Sequence, residues 1–366
     1  MLVGKPKTQG RVTTMKRYGN LYSKICDIDN IRLAHANARR GKGKYKDVQA
    51  VDADPETYFK QVQILLKTKT FVNSSYRTFK KIDKGKEREI FSLPYFPDRI
   101  IHHCILQIIE PIWKKTLIRD TYSSIKGRGI HEGWKRVIKA LKDTDNTRYC
   151  LKMDIRKFYP SVNHDVLKQI VRKKIKCKDT LWLLDEIIDS TEGIPIGNYL
   201  SQYFGNMYLS GLDHYIKEDL GCKHYFRYCD DMVILAESKE GLRVLLKDVD
   251  RYVERKLQLT LKSNYQIFPV TVRGLDFLGY RFFHTSIKLR TTIAKNFKRK
   301  IHTVKRSWQY LSPTTVLHGV MSYNGWLKYS NGRALQRSYV DDKIKAVVAA
   351  CCKKLKCQNP LRRLIT

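Results

Sequence analysis

The most informative stretch of the chain is YFRYCDDMVIL (residues 225–235), in which two adjacent acids lie between two apolar runs. Both runs are rich in residues that favour β-strands, so the pattern predicts a hairpin with Asp230 and Asp231 at its tip. Two neighbouring carboxylates at the end of an apolar sheet are costly unless a cation offsets their charge. The pair is therefore a candidate metal site.

A third acid lies upstream at the end of another apolar run, YCLKMD (residues 149–154), which is followed by helical spacing over 163–175. A strand would bring Asp154 to the same edge of a sheet. Nucleotide addition needs two divalent ions, and Mg²⁺ prefers a few carboxylates completed by phosphate and water. We expect the catalytic acids Asp154, Asp230 and Asp231 to bind two Mg²⁺ ions, with Mn²⁺ as an alternative.

The composition points to a polyanionic partner. Lys and Arg number 71 against 35 acidic residues, a formal charge of +36, in a chain that is 42% hydrophobic and so able to fold. Two basic patches, 38–46 and 295–305, are expected to contact phosphate, although solvated helix faces would look the same. No apolar run approaches the roughly 20 residues that span a bilayer. We expect no membrane partner.

Location and redox state follow from weaker signals. The first 30 residues contain no continuous apolar core of the kind a secretory signal has, so we expect a cytoplasmic protein. The nine cysteines are an odd number without a CxxC pair. Reduced thiols are therefore expected, with neither a disulfide framework nor a zinc site.

Periodicity predicts the elements around these motifs. Helices are expected over 54–69, 100–113 and 239–257, a basic hairpin over 76–91, an apolar strand region over 274–283, and basic helices from 291 to the end.

At this point the motifs resemble those of reverse transcriptases. Residues 228–231 (YCDD) look like the Tyr-x-Asp-Asp signature, and 153–161 (MDIRKFYPS) resembles the first palm motif of that family. Further matches occupy the expected order along the chain: 85–90 (GKEREI) and 98–101 (DRII) for the fingers, 122–131 (YSSIKGRGIH) for the next motif, 193–202 (GIPIGNYLSQ) for the central motif, and 275–280 (LDFLGY) for the strand before the thumb.

The resemblance implies an α+β fold shaped like a right hand. The domains would be an N-terminal basic extension (1–53), fingers (54–148), a catalytic palm with an antiparallel sheet backed by helices (149–285), and a helical thumb (286–366).

It also implies residue roles. Asp154 and Asp230 would be the principal metal ligands, with Asp231 beside them and the Ile155 carbonyl as an additional ligand. Tyr159 would lie under the sugar and exclude a 2′ hydroxyl, although a core aromatic is the alternative.

Nucleotide and nucleic-acid contacts follow in the same way. Arg88 and Lys81 would bind the triphosphate, since a guanidinium suits phosphate geometry, although Lys81 could equally be a solvated strand residue. The other implied contacts are Gln202 with the nucleotide, and Arg128, Tyr228 and Gly279 with nucleic acid.

The central motif suggests a subclass. Many of these families carry Gln-Gly-x-x-x-Ser-Pro where this chain has IGNYLSQ (residues 196–202), which resembles the enzymes of diversity-generating retroelements. In those, a branched residue in place of Gln is associated with misincorporation opposite template adenine. Ile196 and Gly197 are thus assigned to fidelity, because losing a hydrogen bond near the nascent pair penalises mispairs less. The alternative is that Ile196 only packs in the palm.

The implied partners are a structured template RNA, a cDNA or DNA primer, dNTPs and a small basic oligomeric accessory protein, in a bacterial or phage-encoded system for mutagenic retrohoming. Two kinds of alternative stay open. One is a retron, group II-like or phage-defence reverse transcriptase; the other is an RNA-binding or splicing factor that uses a palm fold without catalysis. A palm-type cyclase would leave the fingers motifs and the charge unexplained.

Overall fold

The computed structural model describes residues 16–83 and 85–356. It begins with four helices, which are α1 (Tyr22–Ile25), α2 (Ile28–Ala38), α3 (Lys46–Ala53) and α4 (Pro55–Lys67). The carboxylate of Asp54 accepts from the Thr57 amide and Pro55 is the first helical residue, which explains where α4 starts. The expected helix over 54–69 is therefore present.

The segment before α4, which lies within the expected N-terminal extension (1–53), forms helices. Residues 22–53 form three helices, and α2 packs on a later helix through Ile31 and Ala34, both fully buried. The side chain of Asn30 donates to the Cys104 carbonyl at 3.2 Å, which joins the same two elements. Apolar residues three and four apart give α2 a buried face, so this segment is part of the folded body.

The next elements are a hairpin and a buried helix. They are β1 (Arg77–Asp83), β2 (Lys86–Ser92) and α5 (Ile100–Lys114). The strands of the hairpin are antiparallel, with Lys81 opposite Arg88. Most side chains of α5 are buried, including His102 and His103. The expected hairpin and helix are both present.

The central region is a five-stranded sheet with helices between its strands. In chain order its elements are β3 (Thr121–Tyr122), α6 (Ile130–Leu141), β4 (Tyr149–Asp154), α7 (His164–Arg172), α8 (Lys178–Ile188), α9 (Ser201–Tyr208), α10 (Ser210–His214), β5 (His224–Tyr228), β6 (Asp231–Ala236), α11 (Lys239–Leu257) and β7 (Gln266–Pro269). The strand order is β3-β5-β6-β4-β7. β4 and β7 are antiparallel, as expected, while the two-residue edge strand β3 pairs with β5 in parallel.

The C-terminal region is a small sheet followed by helices. Its elements are α12 (Val270–Arg273), β8 (Leu275–Phe277), β9 (Tyr280–Phe282), β10 (Ile287–Leu289), α13 (Thr291–Ser307), α14 (Pro313–Lys328), α15 (Arg333–Tyr339) and α16 (Asp342–Lys354). The three strands are antiparallel in the order β10-β9-β8. Phe297, Ile301 and Val304 of α13 are fully buried at helical spacing and form one core with residues of α14 and α16. The predicted helices are confirmed as far as residue 356, and 357–366 lie outside the described residues.

Internal contacts divide the described chain into two compact units. One comprises 16–129, Met153–Met232 and Leu245–Tyr265, and the other comprises Ile130–Lys152, Val233–Val244 and 266–356. Since 149–285 contributes to both units, this division does not follow the expected palm, and the boundaries at 53, 148 and 285 stay predictions. The α+β class is confirmed by the helices and the largely antiparallel sheets.

Two expectations about the whole chain can be compared with the described residues. None of the helices within 16–356 has the length and apolar character to cross a membrane. The eight cysteines in the same range are not joined by disulfides, and Cys357 lies outside it.

Candidate active site

The hairpin that carries the signature acids is formed by β5 and β6, which are neighbours in the sheet. Only Cys229 and Asp230 separate the two strands, and so short a link joins antiparallel strands. Cys229 has a φ of 55°. The favoured two-residue hairpin turns need a positive φ at their first central residue. Asp230 therefore lies in the turn itself, while Asp231 is the first residue of β6.

The structure brings the carboxyl groups of Asp154 and Asp230 together. Asp154 is the last residue of β4. The pKa of Asp230 is raised to about 6, first by burial and then by the negative charge of Asp154. One carboxylate oxygen of Asp154, Oδ1, is buried and has no hydrogen-bond partner. Two close acids with an unpartnered oxygen are a donor set that suits a divalent cation.

The third acid, Asp231, is the first residue of β6. Among residues 16–83 and 85–356, no group of three or more His, Cys, Asp or Glu side chains has the geometry to hold a metal ion. Successive residues along an extended chain direct their side chains to opposite faces, so Asp231 need not join its neighbour. The role of Asp231 as a metal ligand stays a prediction.

Lys262, which was not among the residues expected from the sequence, contacts this site directly. Its ammonium group pairs with Oδ2 of Asp154, and its backbone amide donates to the Asp154 carbonyl at 2.9 Å. The positive charge also acts to lower the pKa of Asp230, although burial and Asp154 outweigh it. No local motif marks this lysine, because its position depends on how a distant segment pairs with the end of β4.

The backbone of Ile155 is placed by the same pairing. Ile155 lies opposite Leu261 in an antiparallel bridge, and a flanking bond runs from the Arg156 amide to the Thr260 carbonyl at 2.8 Å. In this arrangement the amide and carbonyl of Ile155 are directed away from Leu261. The carbonyl is thus not used by the pairing, and its role as a ligand stays a prediction.

Tyr159 lies close to the acids. It begins a short 3₁₀ turn, Tyr159–Ser161, and its ring packs edge-on to Phe158 at 5.3 Å between centroids. The pKa of Tyr159 is raised by burial and then by the charges of Cys229 and Asp230, while Arg88 opposes the shift. Tyr159 is half-buried, which is compatible with a surface that a sugar could contact.

The predicted phosphate ligands lie on the hairpin. Lys81 on β1 and Arg88 on β2 are opposite each other and exposed. Directly opposed residues project from the same face of a hairpin. Arg88 is close enough to Tyr159 to act on its pKa, so the structure gathers Arg88, Tyr159 and Asp230. The phosphate contact of Lys81 stays a prediction.

The central motif meets the second strand of the hairpin. The carbonyl of Ile196 accepts from the Phe91 amide at 2.8 Å. Gly197 has a φ of 117°, and a Cβ there would lie 2.4 Å from the Phe91 carbonyl oxygen, so only glycine fits. Ile196 is half-buried, and Gln202 is exposed as the second residue of α9.

Arg128 and Tyr228 are two of the residues expected to contact nucleic acid, and both form hydrogen bonds within the chain. Arg128 donates to the carbonyls of Ile118 at 2.6 Å and Leu117 at 3.4 Å, so its guanidinium holds a loop together. Tyr228 is half-buried, and its pKa is raised by burial and by Cys229, against a hydrogen bond with Ser123. Contact with nucleic acid stays a prediction for both.

Gly279 is also explained by packing. It follows Leu278 in the turn between β8 and β9, and both residues have positive φ, at 86° and 53°. A Cβ at Gly279 would lie 2.4 Å from the ring of Trp326. Its carbonyl accepts from the Arg290 amide at 3.0 Å. The glycine is needed for this close approach, whereas the expected nucleic-acid contact is untested.

A second feature missed from the sequence is a buried ion pair behind the turn. Arg227 and Asp213 are both fully buried and joined by bonds of 2.7 and 2.6 Å. Burial opposes the charge on Arg227, but Asp213 outweighs it and raises the arginine pKa. Arg227 also donates to the Asn206 side chain at 3.2 Å and to the Cys229 carbonyl at 2.9 Å. The pair therefore holds the residue that precedes Asp230, and an arginine within an apolar strand was its only sequence signal.

Comparison with known proteins adds a family match. The family model described as reverse transcriptase (RNA-dependent DNA polymerase) matches residues 79–282, which is more than half of the chain. The matched range begins in β1 and ends in β9. It therefore contains Asp154, Asp230 and Lys262.

Similar proteins include two from bacteria. Protein YkfC of Escherichia coli (strain K12) is 24% identical over 242 residues, which cover 54% of this chain and 63% of YkfC. The group II intron-encoded protein LtrA of Lactococcus lactis subsp. cremoris is 19% identical over 373 residues, which cover 81% of this chain and 61% of LtrA. The chain thus spans less than two thirds of the length of either relative.

Similar solved structures include telomerases. Telomerase from Candida albicans in complex with a TWJ fragment of telomeric RNA is 11% identical with a TM-score of 0.47, covering 80% of this chain and 62% of that one. Apo telomerase from Candida tropicalis is 13% identical with a TM-score of 0.48, covering 77% and 57%.

Proposed function

Because the chain belongs to the reverse transcriptase family, we propose that it is an RNA-directed DNA polymerase that makes cDNA from a template RNA by two-metal nucleotidyl transfer. The observation that supports this chemistry most directly is the approach of the Asp154 and Asp230 carboxyls. Burial and the neighbouring charge raise the pKa of Asp230 to about 6, as expected of acids arranged for a cation. The charge of +36 suits a nucleic-acid substrate.

Asp154 and Asp230 would hold the divalent ions, Mg²⁺ or alternatively Mn²⁺, with Asp231 and the Ile155 carbonyl as the further candidate ligands. When bound, such ions activate the attacking 3′ hydroxyl and stabilise the leaving pyrophosphate. Lys262 partly neutralises Asp154, and Arg227 holds the turn that carries Asp230. These side chains fix the acids in place before substrate binds.

The substrates would be dNTPs, a DNA primer or growing cDNA, and the template RNA. Arg88, with Lys81 opposite it, would bind the triphosphate, because guanidinium groups form paired hydrogen bonds with phosphate oxygens. Tyr159 would lie under the sugar, and its proximity to Arg88 and Asp230 supports this role. Gln202, Arg128, Tyr228 and Gly279 remain candidate contacts.

The test is primer extension on an RNA template with dNTPs and Mg²⁺, comparing wild type with Asp230→Asn. We expect the variant to lose activity by at least about 100-fold, because it removes charge where the cation binds. RNA binding should be nearly unchanged, since one charge in +36 is altered. Asp165→Asn, an exposed acid on α7, is the control and should remain active. Synthesis at the wild-type rate by Asp230→Asn would refute the site.

For the subclass, we infer a diversity-generating retroelement enzyme, error-prone at template adenines, from the sequence IGNYLSQ at 196–202. This assignment implies a small basic oligomeric accessory protein as a partner. Ile196→Gln should raise accuracy opposite adenine by several-fold, because a restored hydrogen bond of about 1 kcal/mol favours the correct pair. Product sequencing measures this, and an unchanged error spectrum would contradict it.

A group II-like reverse transcriptase is the second candidate, and the similarity to LtrA over 81% of this chain favours it. The two candidates differ in fidelity. Accurate copying of adenines by the wild type would favour the group II-like enzyme, while errors concentrated at adenines would favour the retroelement enzyme. RNA binding without synthesis, after the native RNA and accessory protein are added, would favour a non-catalytic binding factor.

A further inference from the structure

The hydroxyl of Tyr76 joins two segments that are far apart in sequence. Tyr76 immediately precedes β1, the first strand of the exposed hairpin. Its hydroxyl lies 2.9 Å from the Ser190 hydroxyl and accepts from the Asn198 side-chain amide at 3.0 Å. Asn198 belongs to the central motif, directly after Ile196 and Gly197. The base of the hairpin is therefore bonded to the motif.

The direction of these hydrogen bonds is determined by their outer partners. Ser190 donates to the Ile187 carbonyl at 2.7 Å, so the Tyr76 hydroxyl donates to Ser190 and accepts from Asn198. The Asn198 Oδ1 accepts from the Leu200 amide at 3.1 Å, which leaves its amino group for Tyr76. Asn198 is 7% exposed. The direction of each bond in this chain is therefore fixed, and loss of the Tyr76 hydroxyl breaks two bonds at once.

The second strand of the hairpin, β2, is attached next to Tyr76 through Phe91. The Tyr76 ring packs edge-on to Phe91 of β2, with 5.7 Å between centroids. The Phe91 amide donates to the Ile196 carbonyl, and Gly197 allows the two backbones to approach. Both strands of the hairpin are thus attached to residues 196–198. We refer to the contacts of Tyr76, Asn198 and Phe91 as the latch.

We propose that the latch is a positioning device that sets the affinity and selectivity for the incoming nucleotide, an inference that rests on the proposed polymerase function. In the hairpin, Thr78 pairs with Phe91 and Lys81 pairs with Arg88, three residue pairs further out. At about 3.4 Å per residue, that places Arg88 about 10 Å from the latch. A small rotation of the hairpin at its base would move the guanidinium away from the triphosphate.

The latch also holds the segment around Ile196. The Ile196 backbone is bonded to Phe91, and Asn198 is bonded to Tyr76, so the segment assigned to fidelity is held by the hairpin. The arginine expected to bind phosphate and the residue expected to meet the nascent pair therefore share one support. Loosening it should change nucleotide affinity and error rate together, because both depend on the same geometry.

The experiment uses Tyr76→Phe, which removes the hydroxyl but keeps the ring against Phe91. The matched control is Tyr58→Phe, since the Tyr58 ring makes a similar edge-on contact, with Phe96 at 4.8 Å. Single-nucleotide addition on an RNA template gives KM for the dNTP, kcat, and the ratio of incorrect to correct incorporation. We expect Tyr76→Phe to raise KM about three- to tenfold with kcat within about twofold, and to change the misincorporation ratio.

A second variant keeps the test independent of folding. Asn198→Ala should raise KM similarly, and the double variant with Tyr76→Phe should lose less than the sum of the two single effects, because both changes remove the bond between Tyr76 and Asn198. Additive effects, an unchanged KM, or a loss in kcat alone would overturn the latch. A wild type that extends no primer contradicts the proposed function itself, whereas an active wild type with the same KM as Tyr76→Phe overturns only the latch.

Discussion

Lys262 shows how a single charge tunes a pair of acids. Its ammonium group pairs with Asp154 and lowers the pKa of Asp230, so it supplies positive charge where a divalent ion would also bind. The ammonium group and a divalent cation are both positive, and like charges repel strongly in a partly buried site. The lysine therefore favours the ionised form of Asp230 but competes with the ion for Asp154.

Replacing Lys262 should consequently alter metal dependence. We expect Lys262→Ala to lower the Mg²⁺ concentration for half-maximal primer extension by roughly threefold or more, because a competing charge is lost. Titrating Mg²⁺ at fixed dNTP measures this. Thermal unfolding with added Mn²⁺ gives a readout independent of activity, and its midpoint should rise at lower Mn²⁺ in Lys262→Ala. Lys262→Arg keeps the charge and is the control. A Mg²⁺ requirement that is unchanged or higher in Lys262→Ala would show that the lysine does not compete with the ion.

At the scale of elements, the turn between β5 and β6 depends on the ion pair beneath it. Asp213 of α10 accepts from Arg227 and also from the hydroxyls of Tyr225, at 2.7 Å, and Thr121, at 2.8 Å. A buried pair of this kind contributes little net stability compared with an apolar pair, but removing one partner leaves an uncompensated charge. Losing either Arg227 or Asp213 alone should therefore destabilise the fold.

Arg227→Met should lower the free energy of unfolding by about 3–5 kcal/mol, because Asp213 would remain buried without its cation. Urea unfolding measures the loss. Adding Asp213→Asn should restore more than half of it, since the amide carries no charge, and its oxygen can accept from one of the two hydroxyls while its amino group donates to the other. A double variant as unstable as Arg227→Met alone would show that packing, not charge, is responsible.

Helix α5 introduces a pH dependence of stability. Burial and the charge of Arg99 lower the pKa of His102 to about 3, against an ordinary value of 6.5. The native protein then keeps His102 neutral while the unfolded chain takes up a proton. This contribution is present above pH 6.5 and is lost as the pH falls towards 3, at about 1.4 kcal/mol per pH unit.

His102→Asn should therefore flatten the dependence of unfolding free energy on pH by about that slope between pH 6 and 4. Urea unfolding at several pH values measures the difference from wild type. The control is His318→Asn, at an exposed position of α14. If the unfolding free energies of His102→Asn and wild type change in parallel with pH, His102 takes up its proton at the same pH in the folded and unfolded states.

The elements themselves were largely predictable because their signals are local. The strand Tyr149–Asp154 and the helix Lys239–Leu257 have the bounds that apolar periodicity predicts, and the hairpin at Asp230 follows from two β-type runs around a short polar turn. The helices over residues 22–53 were missed because they are short and because the basic patch at 38–46, between α2 and α3, looks like solvated chain.

Contacts between distant segments could not be predicted in this way. Lys262 meets Asp154, and Asn198 meets Tyr76, only after strands and loops far apart in sequence come together. No spacing rule connects such residues within a single sequence. The acids were found because their chemistry is unusual in an apolar strand, whereas the residues that support them look ordinary until they are folded.

At the scale of the whole molecule, we expect RNA binding to depend on where the basic residues lie as well as on how many there are. Helix α13 buries one face, and its opposite face carries exposed basic residues spaced by three or four, as neighbours on a helix surface are. This basic stripe consists of Lys295, Arg299, His302 and Arg306. A continuous stripe of this kind matches the regular spacing of phosphates along a nucleic-acid strand.

Replacing Lys295, Arg299 and Arg306 by Gln should therefore weaken RNA binding, with the largest effect at low salt. The slope of log affinity against log salt should become shallower by about 2, because each lost contact with single-stranded RNA contributes about 0.7. Titrating a labelled RNA at several salt concentrations gives both values.

The control removes the same charge from α11, at Arg243, Lys247 and Arg251, which are also exposed and spaced by four. Two of these already have acidic partners on their own helix, since Arg243 pairs with Glu240 and Arg251 with Asp248. Their loss should change the salt slope much less, because paired charges release fewer counterions from RNA. If both triple variants weaken binding equally, the RNA responds to the net charge of +36, and the stripe on α13 has no special part in holding it.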